Sequence, residues 1–330
     1  MFDTTSAIRF FRSYESFIIL GHKEPDGDCV ASQMACATLL RSLGKEATLH
    51  SAGPFDRPEI SPFEKEFSST VSKDRRGSAA VVILDCSTPD RTGPLGEMVA
   101  GLPVLVIDHH SSGEPFGDAR MVEPSAPSTS ILVLELFEAL RVTPDSDTAR
   151  LLLFGLCTDT GFFRHLGAGN ADIYRAIARL VECGTSTADV YMLVFGRREL
   201  ASRKLLAEML LNAESHLDDR LIVTWQLIAD RERLHTRQRG DDDLYRLLQT
   251  IKGNVAVALI REEGEGAFSV GLRSSSAVDV GAVAASFGGG GHRQAAGFDI
   301  KGSLDSVKNA VLAALTPLLA VPETPETAEM

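Results

Sequence analysis

Val104-Leu105-Val106-Ile107-Asp108-His109-His110 is an apolar run that ends in one carboxylate and two imidazoles. Its first four residues, three of them β-branched, predict a short buried strand. Nothing in folding requires the Asp-His-His that follows. In an open parallel sheet, ligands bind beyond the carboxyl ends of the strands. The run therefore delivers three metal-capable side chains to the place where such sheets do chemistry.

Two further apolar runs end the same way. Phe17-Ile18-Ile19-Leu20 leads into Gly21-His22, and Ala79-Ala80-Val81-Val82-Ile83-Leu84 ends at Asp85. Apolar residues at helical spacing span 28–43, with Gly44 as a stop, and recur over 128–140, 144–156 and 170–182. Pro144 suits a first helical turn, and 47–50 reads as a weak strand. Strands alternating with helices predict an α/β fold whose N-terminal part is a mostly parallel open sheet flanked by helices. A long helical pattern over 185–217 follows. The alternation then restarts at Leu221 and ends in a helix to about Leu319, predicting a smaller C-terminal α/β domain. The expected division is a first domain over 1–186, a helical linker over 187–217, a second domain over 218–320 and a Pro- and Glu-rich disordered tail over 321–330.

A chain of 330 residues can bury two cores, and 44% hydrophobic with 24% charged residues is ordinary for a globular protein. A net charge of -12 argues against long duplex DNA as a partner, which needs many Lys and Arg on phosphates. A small anionic substrate is still compatible, because bound cations reverse the local sign. The five cysteines (Cys29, Cys36, Cys86, Cys157, Cys183) are odd in number and lack Cys-x-x-Cys spacing. They are expected to be reduced and mostly buried rather than zinc-binding. No stretch approaches the ~20 apolar residues of a membrane span, so no membrane partner and a cytoplasmic location are expected.

Four segments bearing carboxylates or imidazoles sit at the ends of apolar elements. They are His22-Lys23-Glu24-Pro25-Asp26-Gly27-Asp28, Asp85, Asp108-His109-His110 and Thr158-Asp159-Thr160-Gly161. Taken singly, each Asp is an ordinary turn residue and each His an ordinary polar surface group; so many at element ends are not. Packing Asp26, Asp28, Asp85, Asp108 and Asp159 together would raise their pKa values steeply unless cations neutralised them. Mixed His and carboxylate ligands suit Mn²⁺, with Mg²⁺, Co²⁺ or Fe²⁺ as alternatives, over a structural zinc. Two such ions roughly 3.5–4 Å apart would ionise a water near neutral pH and clamp phosphoryl oxygens.

In these segments the chain resembles the DHH family of phosphoesterases, which takes its name from a run such as Asp108-His109-His110. The matching motifs are His-x-x-Pro-Asp-x-Asp from His22 to Asp28 with Ser32 following, Asp85, the triplet, and the Asp159 loop. Ala31, where relatives often have Gly, is a departure that removes no ligand. Phe287-Gly288-Gly289-Gly290-Gly291-His292 through Ala295-Ala296-Gly297 is similar to the hallmark of the DHH-associated C-terminal domain. The resemblance implies catalysis by 1–186, substrate binding by 218–320 and an active site in the cleft between them. It implies that His22 and Asp26 hold one metal ion, that Asp28, His109 and Asp159 hold the other, and that Asp85 bridges the two. Asp108 would stand behind a ligand and orient a histidine ring, His109 first. His110 would face the substrate, polarising a phosphoryl oxygen or assisting the leaving group.

The glycine run has its own physical reading. Successive glycines let backbone N–H groups approach an anion, and a following helix end would add a favourable dipole. With Arg273 at the end of a preceding strand, Gly289, Gly290, Gly291 and His292 are expected to clamp substrate. Within the family, the two-domain layout is similar to nano-RNase and pAp phosphatase enzymes. That implies hydrolysis of short oligoribonucleotides or of 3′-phosphoadenosine 5′-phosphate (pAp) to mononucleotides, and a homodimer. The alternatives are cleavage of linear or cyclic di-adenylate, and a nucleotide-binding module without catalysis.

Overall fold

The computed structural model describes residues 2–72, 79–111, 113, 115–196, 198–236, 240–275 and 277–319. The expected tail over 321–330 lies outside them. The chain divides into two compact units, Met1–Arg197 and Arg198–Met330. Among the described residues no helix is long and apolar enough to cross a membrane.

In the first unit, β1 (Ser16–Leu20), β2 (Glu46–His50), β3 (Ala79–Leu84), β4 (Val104–Asp108) and β5 (Ala119–Val122) lie in the order β2-β1-β3-β4-β5. Every pairing is parallel, with Leu20 beside Ile83 and Leu84 beside Ile107, so β1, β3 and β4 end along one edge. Phe17, Ile19, Val82, Leu84, Leu105 and Ile107 pack on one face with the helices Gly27–Ser42, Thr129–Ala139 and Ser146–Asp159. Ile18, Leu20, Val81 and Ile83 pack on the other with Leu95 and Val99. Burial on both faces explains why these strands read as unbroken apolar runs.

The helix Gly27–Ser42 begins where the Asp26 carboxylate accepts the Cys29 N–H at 3.0 Å, and the left-handed Gly44 (φ 78°) follows its end. Ser146–Asp159 differs from expectation at both ends. Pro144 lies before its cap, Asp145, and the helix continues to Asp159 rather than stopping at Leu156. Asp159 is thus presented by a helical turn, not by a loop. The strand β5 and the short helix Pro94–Met98 were not expected: each is too brief to show periodicity.

The second unit holds β6 (Glu214–His216), β7 (Leu221–Gln226), β8 (Ala256–Gly264), β9 (Ala267–Ser274), β10 (Gly290–His292) and β11 (Ala295–Lys301), in the order β10-β11-β9-β8-β7-β6. Only β7 and β8 pair in parallel. Val223, Ala258, Ile260, Val270 and Leu272 pack with Val280 and Val283 of the helix Val280–Ser286 and with Val307, Val311 and Leu315 of Leu304–Leu319.

Two readings change here. The single helical pattern over 185–217 is two helices, Thr187–Phe195 and Leu200–Leu211, because Gly196 is extended (φ -78°, ψ -169°). The glycine run is not a loop opening a helix. It follows the end of Val280–Ser286, and its last residues form the exposed edge strand β10. Gly291 needs to be glycine there: its φ is 140°, and a Cβ would run into the backbone of Ala295 and Ala296.

Candidate metal centre

The parallel register brings the ends of β1, β3 and β4 together, and two helix ends complete the group. His22 follows β1 through Gly21, where a Cβ would collide with the Cys29 thiol and the Gln33 amide. The buried His22 ring places Nε2 3.8 Å from Asp26 Oδ1 and 3.5 Å from Asp85 Oδ2, while its Nδ1 meets the Lys23 carbonyl at 2.8 Å. Asp85, immediately after β3, sits in the left-handed region (φ 57°), a conformation Asp tolerates better than most residues. Its N–H donates to the Ile107 carbonyl at 3.0 Å. Its Oδ1 lies 3.6 Å from His109 Nε2 and 3.7 Å from His110 Nδ1. His109 Nε2 also lies 3.0 Å from Asp159 Oδ2. Asp85 thus faces His22 with Oδ2, and His109 and His110 with Oδ1.

Asp28 is fully buried, yet both its oxygens are engaged by the start of the helix Thr129–Ala139. Oδ2 accepts the Thr129 N–H at 2.6 Å, and Oδ1 accepts the Ser130 N–H at 2.9 Å and the Ser130 hydroxyl. The Thr129 hydroxyl donates to Asp85 Oδ1 at 3.0 Å. Thr129 and Ser130 were missed in the sequence. The Ser-Thr-Ser before an apolar run was visible only as a helix start.

The triplet divides its labour differently from the expectation. His109 Nδ1 meets the Ala126 carbonyl at 3.2 Å, so its ring does not lean on Asp108. Asp108 Oδ1 instead accepts both backbone amides, His109 N–H at 2.8 Å and His110 N–H at 3.2 Å, and meets the His110 ring Nδ1 at 2.7 Å. The reason is local: the two N–H groups that follow β4 both lie within reach of that one carboxylate oxygen.

Among the described residues three sets of ligand atoms lie within 4.8 Å of one another: Asp28, His109 and Asp159; Asp85, His109 and His110; and His22, Cys29 and Asp85. The Cys29 thiol was not expected there. All five cysteines are free, four of them buried.

The electrostatics are those of a cluster short of positive charge. Burial, then the Asp159 and Asp85 charges, push the Asp28 carboxyl well above the usual range. Burial likewise raises Asp159, even though His109 bonds to it. Burial opposes a charged His109, but the Asp159 bond and the surrounding carboxylates raise it to about 10. His22 is raised too: burial opposes its charge, and Cys29, Asp26 and Asp85 overcome it. The protons that Asp28, Asp159, His109 and His22 hold tightly are what a divalent cation displaces. The donor set fits hard or borderline ions.

The other predicted site residues belong to the second unit. Arg273 on β9 pairs with Ala295 on β11, which pairs with His292 on β10, so the three stand in one row across the sheet. The Arg273 guanidinium lies over the Tyr245 ring, 4.5 Å from its centroid.

The DHH family N-terminal domain matches residues 16–156, and the DHHA1 domain matches residues 242–319. The chain is 33% identical to the bifunctional oligoribonuclease and PAP phosphatase NrnA of Thermus thermophilus, over 90% of this chain and 88% of that one. It is 24% identical to the probable enzyme of the same name from Streptococcus mutans, over 87% and 90%. The crystal structure of an exopolyphosphatase-related protein from Bacteroides fragilis matches with a TM-score of 0.83 at 22% identity, covering 96% of each chain, a likeness of fold. With both domains matched and one relative at that identity over almost its full length, the chain belongs to the DHH family of metal-dependent phosphoesterases.

Proposed function

We infer that the chain is a two-metal phosphohydrolase that cleaves short oligoribonucleotides, pAp or both to mononucleotides. The observation that carries this reading is the divided carboxylate of Asp85, with Oδ2 toward His22 and Oδ1 toward His109. His22 and Asp26 would hold one ion, Asp28, His109 and Asp159 the other, and Asp85 both. When bound, a pair of divalent ions, Mn²⁺ ahead of Mg²⁺, Co²⁺ or Fe²⁺, supplies Lewis acidity toward phosphoryl oxygens and lowers the pKa of water toward neutrality.

The chain's own residues supply the rest. Thr129 and Ser130 hold Asp85 and Asp28 in place by hydrogen bonds and so orient the ligands. Asp108 fixes the His110 ring through Nδ1 and favours its charged form, with burial opposing and the charges of Asp108 and Asp85 adding. Nε2 of His110 is then the atom that donates a proton to a phosphoryl or leaving-group oxygen. Arg273 and His292, beside Gly289, Gly290 and Gly291, would take the nucleotide's terminal phosphate, although the Gly289 N–H itself donates to the Ala284 carbonyl at 2.9 Å.

The names of the Thermus thermophilus and Streptococcus mutans relatives support the substrate class. A binding module without catalysis is disfavoured because no expected ligand is replaced. The test is hydrolysis of a di- to pentaribonucleotide series and of pAp with added Mn²⁺, beside Asp85→Asn. Metal-dependent release of mononucleotide that the substitution abolishes is expected. Turnover of neither substrate, or turnover that survives the substitution, overturns the reading.

A further inference from the structure

A cavity of about 380 Å³ opens on the sheet face opposite the one that packs on the helices carrying Asp28 and Asp159. Strand alternation accounts for its position. Leu105, Ile107 and Met121 point into the helical core, so Val106 and Asp108 of β4 and Arg120 and Val122 of β5 point the other way. Ser87, His110, Ser111 and Phe116 complete the wall. The volume is within the range of small-molecule pockets.

The charge of this cavity is the informative feature. Arg120 is exposed into it and, among the described residues, has no hydrogen-bond or ion-pair partner. Among the described residues the one carboxylate in the wall is Asp108, and its Oδ1 is held by two amides and the His110 ring. Two serine hydroxyls and an apolar side wall remain. An unpaired guanidinium beside hydroxyls and an aromatic ring suits an anion that carries an apolar body.

The cavity is joined to the metal centre by one residue. The His110 ring lines it, while Nδ1 of the same ring lies 3.7 Å from Asp85 Oδ1. In register, Arg120 stands beside Val106, two residues back from Asp108. Standard strand spacings put the Arg120 and Asp108 Cα atoms about 8 Å apart, a span that an arginine side chain covers. A substrate chain whose scissile phosphoryl group lies over Asp85 therefore has a path past His110 toward Arg120.

We propose that this cavity is the subsite for the nucleotide on the 3′ side of the scissile phosphate and that Arg120 binds the next phosphate beyond it. It rests on the reading of the chain as a hydrolase of short oligonucleotides, and it adds a length preference. A dinucleotide has no phosphate to offer Arg120 once its single internal bond is placed over the metals. A trinucleotide has one.

The experiment compares pNpN with pNpNpN as substrates of wild type, Arg120→Ala and Arg120→Lys, with folding followed by thermal melting. Arg120→Ala is expected to lower kcat/KM for the trinucleotide about tenfold to a hundredfold through KM, the size of one charge-assisted contact. The dinucleotide should stay within about twofold, and Arg120→Lys should restore part of the loss. Equal losses on both substrates, or no loss on the trinucleotide, overturn the subsite while leaving the hydrolase reading intact. A wild-type protein that cleaves neither substrate overturns both.

Discussion

Asp108 and His110 are joined by a 2.7 Å contact between Oδ1 and the ring Nδ1, and the same oxygen accepts the His110 N–H. Backbone and ring of His110 are thereby fixed to one carboxylate, which leaves Nε2 as the free nitrogen. His110→Ala is expected to retain the metals and lose turnover by about 10²–10⁴-fold, the usual contribution of a general acid. Metal content by elemental analysis beside kcat distinguishes this from loss of a ligand. His109→Ala should show the reverse, a weaker metal site first.

Asp108→Asn tests the electrostatic half of the same pair. The Asp108 bond is the largest influence raising His110. With that charge removed, His110 loses its proton at lower pH. The alkaline limb of the kcat profile is therefore expected to move to lower pH, while the acid limb stays. An unmoved alkaline limb would assign proton donation elsewhere.

Metal removal should be visible in stability as well as activity. In the folded chain without metal, His109 is raised from 6.5 to about 10. Its stabilising contribution is fully present below 6.5 and is lost as pH rises through about 10. Raised Asp28 and Asp159 act in the same direction, because the folded state binds their protons more tightly than the unfolded chain. The chelated protein should lose several degrees of Tm between pH 6.5 and 10. Saturating Mn²⁺ should raise Tm and flatten that slope.

Thr129→Val removes the hydroxyl that meets Asp85 Oδ1 at 3.0 Å and keeps the side-chain volume. The helix cap survives, since Ser128 is the residue whose Oγ accepts the Ile131 N–H. Metal affinity is expected to fall about 10–100-fold with little change in Tm. Calorimetric titration of the chelated protein with Mn²⁺ measures it.

The apolar runs ending at Leu20, Leu84 and Ile107 announced three parallel strands and the groups at their ends, because side-chain pattern and strand burial are local properties. His22, Asp85 and Asp108-His109-His110 could be named from them. Asp159 could be named too, but not as the last residue of a helix, because helix ends depend on what packs around them. The partners could not be named. Asp28 is held by Thr129, 101 residues away, and Asp85 by the same residue, 44 residues away. The thiol of Cys29 joins His22 and Asp85 through the docking of one helix against β1. Arg120 gained a pocket only when the short strand β5 added to the sheet edge. Sequence alone determined which chemistry-bearing groups stand at the strand ends. The tertiary structure decided which of them face one another, because those distances follow from register and helix docking between segments far apart in the chain.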